Sequence, residues 1–248
     1  MVTGICSDGG RDGVNGSDRI SDGVNSSDRI SDGVSDEINN RFGCEFWRMV
    51  GNTRREMCWL GRRLFARRLV TGKSGNISVR VPEYLNKENN VSWPGGFLIK
   101  ATDRSFDDIV PVEFLLVNNL GEVLSGRGRP SGEMGFHQGI YLARPEIHAI
   151  VHGHSAYVTA YVLEKGELAL MTEEARHSIK RLGYVDYITP RSAELAERVT
   201  EVFRGDLRVA VLRDHGFVTV AETLREAYYL ADALEETARV ACIRNSFC

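Results

Sequence analysis

The chain has 248 residues, of which 42% are hydrophobic and 26% charged, and its formal net charge is −3 at pH 7. This length and apolar content suffice for one large domain with a substantial core. The near-neutral charge gives no general attraction to nucleic acid, so we expect no nucleic-acid partner.

Features of membrane and secreted proteins are missing from the sequence. No apolar run approaches the roughly 20 residues that span a bilayer. The N-terminus lacks the apolar segment of a secretory signal. The five cysteines are odd in number and form no CxxC pair, which fits reduced thiols. We therefore expect a cytoplasmic protein without a membrane partner.

Residues 1–40 differ from the rest of the chain because they contain a polar repeat. The segment GSDRISDGVN at 16–25 returns almost unchanged as SSDRISDGV at 26–34. Its few apolar side chains bury too little surface to offset the entropy of ordering the backbone. A calcium-binding glycine and aspartate repeat is an alternative, but such solenoids need at least about three repeats to stack. We predict a disordered acidic tail over 1–40.

An amphipathic helix opens the globular part. Apolar residues recur at near-helical spacing from Phe46 to Leu69, with arginines between them. We interpret this stripe as core packing rather than as a groove for a partner. Gly72 is predicted to end the helix, because glycine suits the left-handed conformation of a helix terminus. A strand is predicted next, at 75–79.

The remaining chain alternates short apolar runs with helical patterns. Strands are predicted at 96–100, 115–118, 123–124, 149–152 and 209–212, with a hairpin turn at 119–122. Helices are predicted at 133–144, 155–165, 192–204 and 223–243. Such a succession is typical of an α/β domain in which helices cover a sheet.

One carboxylate and three histidines form the most specific pattern in the chain. His152 and His154 project from the same face if the extended backbone continues through Gly153, because strand side chains alternate. Glu133 lies near a helix start, and His215 follows a second apolar run. Each feature alone is common in proteins. Their combination predicts a divalent-metal site with a carboxylate beside it.

The other three histidines are not expected to be ligands. His137 lies four residues after Glu133, on the same side of the predicted helix. We interpret it as a helix histidine with satisfied hydrogen bonds that supports the site. His148 and His177 match no pattern and are expected at the surface.

Four motifs follow one another along the chain: GKSGNISVR at 72–80, RPSGE at 129–133, IVHGHS at 150–155 and VLRDHG at 211–216. With them the sequence resembles the class II aldolase/adducin family over about residues 45–243. The resemblance implies one catalytic domain over 45–243. Its fold would be a three-layer α/β/α arrangement with a mostly antiparallel central sheet.

The resemblance also implies a metal-dependent enzyme. His152, His154 and His215 match the three histidine ligands of the family. Glu133 matches a glutamate that ligates the resting metal and becomes the catalytic acid/base once substrate displaces it. Zinc is the expected ion. Manganese, cobalt and iron stay open, because three imidazoles and a carboxylate accept all of them.

The implied reaction is the reversible retro-aldol cleavage of a small ketose or ketose phosphate similar to fuculose 1-phosphate. The products would be an aldehyde and a three-carbon enediolate like that of dihydroxyacetone phosphate. Dehydration, decarboxylation and 4-epimerisation on the same site stay open, although the family's epimerases carry an aspartate where this chain has Glu133. A non-catalytic adducin-like scaffold is a further alternative, but such scaffolds have lost metal ligands. The family further implies a homotetramer with active sites at subunit boundaries.

The predicted substrate-binding residues fit the family pattern less closely. Gly75 and Asn76 match its first phosphate loop, where exposed backbone N–H groups suit an anion. A simple turn from helix to strand is the alternative for this segment. The second loop normally reads Thr-Pro-Ser-Gly, whereas this chain has KATD at 100–103. Thr102 and Asp103 are its predicted contacts, and Asp103 puts a negative charge beside the phosphate.

Two more departures concern the third phosphate element and the general acid. The family reads Ser-Ser-Glu where this chain has Ser131 and Gly132 before the glutamate, so one hydroxyl is lost. The family's catalytic tyrosine is absent from the matching segment, 168–174. Glu173 and Glu174 lie there, and either is a replacement acid or a solvated helix charge. These departures leave the substrate open.

Overall fold

An eight-stranded sheet forms the centre of the protein. A computed structural model describes residues 36–247, with side chains from residue 41 onward. The strands of this sheet are β1 Asn76–Val81, β4 Gly96–Lys100, β5 Phe114–Asn118, β6 Val123–Ser125, β7 Ala149–Gly153, β8 Gly183–Val185, β9 Val209–Leu212 and β10 Gly216–Ala221. Their order is β6-β5-β4-β1-β7-β10-β9-β8. Pairing is antiparallel except between β8 and β9, so the predicted mostly antiparallel sheet is confirmed.

Helices cover both faces of this sheet. They are α1 Asp36–Ala66, α2 Met134–Ala143, α3 Ala156–Lys165, α4 Glu173–Ser178, α5 Ala193–Val202 and α6 Leu224–Asn245. Phe114 and Leu116 of β5 point into a core shared with α1, α3, α4 and α6. Leu115 and Val117 alternate with them and enter a second core, with α2 and α5. The three-layer α/β/α prediction is therefore confirmed.

Several elements escaped the prediction. A small two-stranded sheet, β2 Tyr84–Asn86 and β3 Val91–Trp93, packs near α1. The short α4 and β8 were also not predicted. The most consequential omission is β10, which lies between β7 and β9 and is buried along its whole length.

The predicted end of the first helix is wrong. The helix ends at Ala66 rather than at Gly72. Arg68 takes the left-handed conformation, with φ 57°. The Arg68 N–H donates to Phe65 O and the Leu69 N–H to Leu64 O, each at 2.9 Å. This paired capping satisfies the terminal carbonyls without glycine.

The N-terminal prediction is only partly within the described residues. The repeats at 16–34 lie outside them. Helix α1 begins at Asp36, so residues 36–40 of the predicted tail are helical. Gly43 interrupts this helix with φ 78° and ψ 167°. Between residues 36 and 247, no helix is both long and apolar enough to cross a membrane.

Candidate metal centre and substrate cavity

The four predicted metal-binding residues converge at one end of the central strands of the sheet. His152 belongs to β7 and pairs with Val218 of β10, so the end of β7 lies beside the turn that precedes β10. That turn carries His215, and His154 follows β7 by one residue. Glu133 is the N-cap of α2. One ligand atom from each of these four side chains lies within 4.8 Å of the others.

The distances within the cluster are short. Glu133 Oε2 lies 3.2 Å from His152 Nε2, and Glu133 Oε1 lies 3.2 Å from His215 Nε2. The Nε2 atoms of His152 and His154 are 2.8 Å apart. These nitrogen and oxygen atoms therefore face a common point.

Two glycines allow the strands to approach closely enough for this convergence. A Cβ at Gly216 would lie 2.1 Å from Gly153 O. A Cβ at Gly153 would lie 2.3 Å from Phe217 Cζ and 2.7 Å from Leu69 O. Side chains at either position would push β7 away from its neighbours. Asp214 helps to form the β9–β10 turn by taking φ 55°, which aspartate tolerates better than most residues.

A hydrogen bond orients His152 for metal binding, and burial keeps His154 neutral. His152 Nδ1 lies 2.8 Å from Phe217 O, which only accepts, so Nδ1 carries the proton and Nε2 presents its lone pair. Burial lowers the pKa of His154 to about 3, so its imidazole is neutral at neutral pH.

Glu133 is buried and ionised. Burial alone would raise the pKa of its carboxyl, but His152 and His215 lower that pKa well below its usual range. Oε1 accepts no well-formed hydrogen bond from the described residues, although His215 is close. An unpaired buried oxygen and converging imidazole lone pairs are costly unless they share a cation. The donor set therefore fits a divalent ion.

A cavity of about 300 Å³ opens beside the cluster. Of the predicted site residues it is lined by Gly75, Asn76, Thr102, Asp103, Ser131, Glu133, His154 and His215. Gly132 lines an adjoining cavity of about 120 Å³ that it shares with Glu133. His152 is the member of the cluster that is fully buried, and it lines neither cavity. The structure thus places every predicted site residue in one region.

The negative charge at Asp103 is paired with an arginine at the surface. Arg129 Nη2 lies 3.4 Å from Asp103 Oδ2 at the surface. Arg104 pairs instead with Glu113, at 3.1 Å. The Asp103 carboxylate is therefore partly neutralised from outside the cavity.

Lys100 is a structural support for the first loop that the sequence did not place. Its buried Nζ donates to Lys73 O at 3.0 Å and to Gly75 O at 3.1 Å. Burial lowers the pKa of Lys100 to about 8. The ammonium therefore ties the 73–75 loop to β4 and brings a positive charge to the cavity wall.

A buried chain of hydrogen bonds behind Glu133 also escaped the sequence analysis. Asn76 Nδ2 donates to Glu133 Oε2 at 2.9 Å, and Asn76 Oδ1 contacts His137 Nε2. His137 Nδ1 lies 2.7 Å from Ser78 Oγ, which lies 2.8 Å from Tyr141 Oη. His137 is therefore a hydrogen-bonded supporting residue, as predicted.

The spacing of these residues in the sequence is compatible with the hydrogen-bond chain. Asn76 and Ser78 share one face of β1, because strand side chains alternate. His137 and Tyr141 are four residues apart on one face of α2.

His148 and His177 are exposed, as predicted.

A larger surface groove lies elsewhere on the described residues. It measures about 710 Å³, and its lining includes residues of α4 and α6 such as Glu174, His177 and Tyr229. It contains none of the predicted ligands or phosphate contacts. We place the candidate site in the smaller cavity, because the converging donors are there. Neither Glu173 nor Glu174 lines that cavity within the chain.

The α/β/α fold and the cluster of three histidines and one glutamate at its strand ends define a domain class with the donor set for a divalent ion. Residues 55–242 match the family described as Class II Aldolase and Adducin N-terminal domain. The chain belongs to the class II aldolase and adducin family.

Individual relatives have two different activities in their names. An L-fuculose phosphate aldolase of Methanococcus vannielii is 35% identical over 184 residues, which are 74% of this chain and 92% of that protein. A 3-oxo-tetronate 4-phosphate decarboxylase of Pectobacterium atrosepticum is 32% identical over 195 residues, covering 75% of this chain and 82% of that protein. The crystal structure of YgbL from Escherichia coli superposes with a TM-score of 0.68 at 28% identity, covering 79% of this chain and 90% of that one.

Proposed function

We propose that this protein is a divalent-metal-dependent lyase that cleaves a small phosphorylated ketose by a reversible retro-aldol reaction. His152, His154 and His215 would hold the ion, with Glu133 as a movable fourth ligand. One observation carries the proposal: four donor atoms lie within 4.8 Å of one another beside a cavity of about 300 Å³.

Glu133 is the proposed acid/base. Its Oε2 is held by Asn76 at 2.9 Å, while Oε1 has no hydrogen-bond partner among the described residues. In the direction of condensation, Oε1 accepts a proton from the carbon next to the carbonyl of the three-carbon ketone. In the direction of cleavage the carboxyl returns that proton. A bound divalent ion supplies Lewis acidity for the negative charge that develops on the substrate oxygens.

The substrate phosphate would lie at the polar end of the cavity. Gly75 and Asn76 form the first loop there, and Lys100 holds that loop through two carbonyls. Thr102 and Ser131 offer hydroxyl groups on the same cavity wall, with Asp103 and Gly132 beside them. Short polar groups and backbone N–H groups that line a cavity suit an anion with several oxygens.

Decarboxylation of a phosphorylated keto acid is the second candidate. The relative from Pectobacterium atrosepticum favours it, because that protein is 32% identical and is named a decarboxylase. Decarboxylation also develops an enolate, so the same electrostatic stabilisation serves both reactions. The four intact donors argue against a scaffold function. Glu133 argues against an epimerase, because the family's epimerases carry an aspartate at this position.

We further propose zinc as the ion, a cytoplasmic location and a homotetramer. The absence of Glu173 and Glu174 from the described lining of the substrate cavity supports the tetramer. A neighbouring subunit would then supply the general acid.

An activity screen tests the proposal. Zinc-loaded protein would be incubated with fuculose 1-phosphate, other ketose phosphates, their unphosphorylated forms and 3-oxo-tetronate 4-phosphate. Release of an aldehyde together with dihydroxyacetone phosphate supports the aldolase. Carbon dioxide release without an aldehyde product moves the assignment to the decarboxylase. Neither product from any substrate contradicts both.

A further inference from the structure

The side chain of Arg191 lies directly over Gly132. A Cβ built on Gly132 would be 2.8 Å from Arg191 Cδ, 3.1 Å from its Cγ and 3.3 Å from its Nε. The arginine arm therefore occupies the space that any side chain at position 132 would need. Arg191 lines the substrate cavity together with Ser131 and Glu133.

The backbone holds this arginine in place. Arg191 has φ 65°, a left-handed conformation that is unfavourable for a residue other than glycine and that concentrates at functional sites. The next residue, Ser192, caps helix α5 by accepting a hydrogen bond from the Leu195 N–H at 3.1 Å. A rigid helix start thus fixes the position from which the arginine reaches over Gly132.

The charges around the cavity favour an anion. Arg191 makes no ion pair with the carboxylates of the described residues, and Lys73 and Lys100 line the same cavity. The two acidic residues of the lining have other partners: Asp103 pairs with Arg129, and Glu133 contacts Asn76 and histidines. Arg191 is therefore a cation with free donors beside the reacting carboxylate.

We propose that Arg191 binds the phosphate group of the substrate and selects phosphorylated over unphosphorylated ketoses. The inference rests on the proposed function for the identity of the substrate, but not for the binding of an anion. Guanidinium donors match two phosphate oxygens at once, and the third oxygen remains for Ser131 or the Gly75 loop. A carboxylate offers only two oxygens and would leave those groups unpaired.

Four variants isolate this contact. R191Q removes the charge, R191K keeps the charge without the planar fork, and R191G removes the side chain while relieving the left-handed backbone. G132A adds a Cβ that displaces the arginine arm without restoring the hydroxyl that the family pattern carries at this position. R198Q is the matched control, because Arg198 is an exposed arginine of α5 outside both cavities.

Calorimetry provides the measurement. Zinc-loaded proteins are titrated with dihydroxyacetone phosphate and with dihydroxyacetone, and metal-free proteins with inorganic phosphate. We expect R191Q and R191G to bind both phosphate compounds about 10- to 100-fold more weakly, and G132A to weaken binding in the same direction. R191K should fall between them and the wild type. Dihydroxyacetone and zinc affinities should stay within about twofold of wild type, as should every affinity of R198Q.

Several results would overturn the inference. One is phosphate binding by R191Q within twofold of wild type, and another is wild-type protein that binds no phosphate. Equal weakening for dihydroxyacetone and its phosphate would indicate a merely structural role. Weakening only for an unphosphorylated sugar acid would assign the arginine to a carboxylate. A wild type that binds no zinc and cleaves no ketose defeats the proposed function, whereas phosphate titrations of the metal-free variants still decide the role of Arg191.

Discussion

Asn76 donates a hydrogen bond from Nδ2 to Glu133 Oε2 at 2.9 Å, and this contact makes the two carboxylate oxygens unequal. Oε2 is held by the amide and lies 3.2 Å from His152 Nε2. Oε1 lies 3.2 Å from His215 Nε2 and forms no hydrogen bond with the described residues. The amide thus orients the carboxylate, and the oxygen that it leaves unpaired is the one to which we assign proton transfer.

Replacing Glu133 by glutamine should separate metal binding from turnover. E133Q keeps the three histidines and the shape of the side chain but cannot accept a proton. We expect bound zinc to be retained and kcat to fall by about 10²- to 10⁴-fold. Metal analysis and steady-state kinetics on the same sample measure both. E197Q, at an exposed position of α5, is the charge-matched control, and an unchanged kcat in E133Q would remove Glu133 from the mechanism.

Substitutions along the buried hydrogen-bond chain should have graded effects. H137F leaves Asn76 Oδ1 and Ser78 Oγ without their partner, which costs about 1–3 kcal/mol of stability. Because Asn76 then loses its anchor, kcat should fall more than KM rises. Y141F removes only the far hydroxyl and should change kcat less. Equal kinetic effects of H137F and Y141F, at equal loss of stability, would argue that the chain is purely structural.

The buried His137 predicts a specific pH dependence of stability. Burial lowers its pKa from 6.5 to about 3 in the folded protein. Below pH 6.5 the unfolded chain binds a proton that the folded protein does not, so the free energy of unfolding falls as the pH drops from about 6.5 towards 3. Urea unfolding of the metal-free protein at several pH values measures this slope. H137Q should show a shallower slope, and an identical slope would assign the loss to other groups.

The glycine contact between β7 and its neighbours should be intolerant of a methyl group. In G153A the added Cβ would lie 2.3 Å from Phe217 Cζ and 2.7 Å from Leu69 O. We expect the free energy of unfolding to fall by about 1–3 kcal/mol and zinc affinity to fall with it, because the flanking histidines move. G205A is the control, since a Cβ there meets nothing within 4 Å. Equal stability of the two variants would refute the packing argument.

The sequence predicted the main helices from local signals, whereas the metal site was predicted from the combination of separate motifs. Glu133 precedes an apolar helical pattern, and the alternation around His152 and His154 is visible within three residues. β10 escaped because glycine opens it directly after a histidine turn, and only its pairing with β7 and β9 makes it a central strand.

Tertiary contacts explain the remaining omissions. No local pattern brings Arg191 over Gly132, because 59 positions separate them along the chain (191 − 132). The contacts of Lys100 with the 73–75 carbonyls depend on the pairing of β1 with β4. The first helix ends before Arg68 and not at the predicted Gly72, because a well-packed helix end tolerates an arginine in the left-handed conformation.

The measurement that tests the central claim most directly is a zinc titration of metal-free protein in which bound metal and the cleavage rate of a ketose phosphate are followed together. The converging imidazoles and the unpaired Glu133 oxygen predict saturation at about one ion per chain, with the rate rising in proportion to bound zinc. H152A should abolish both metal binding and cleavage. Failure to bind zinc, manganese, cobalt or iron, or a cleavage rate that is independent of bound metal, would contradict the account.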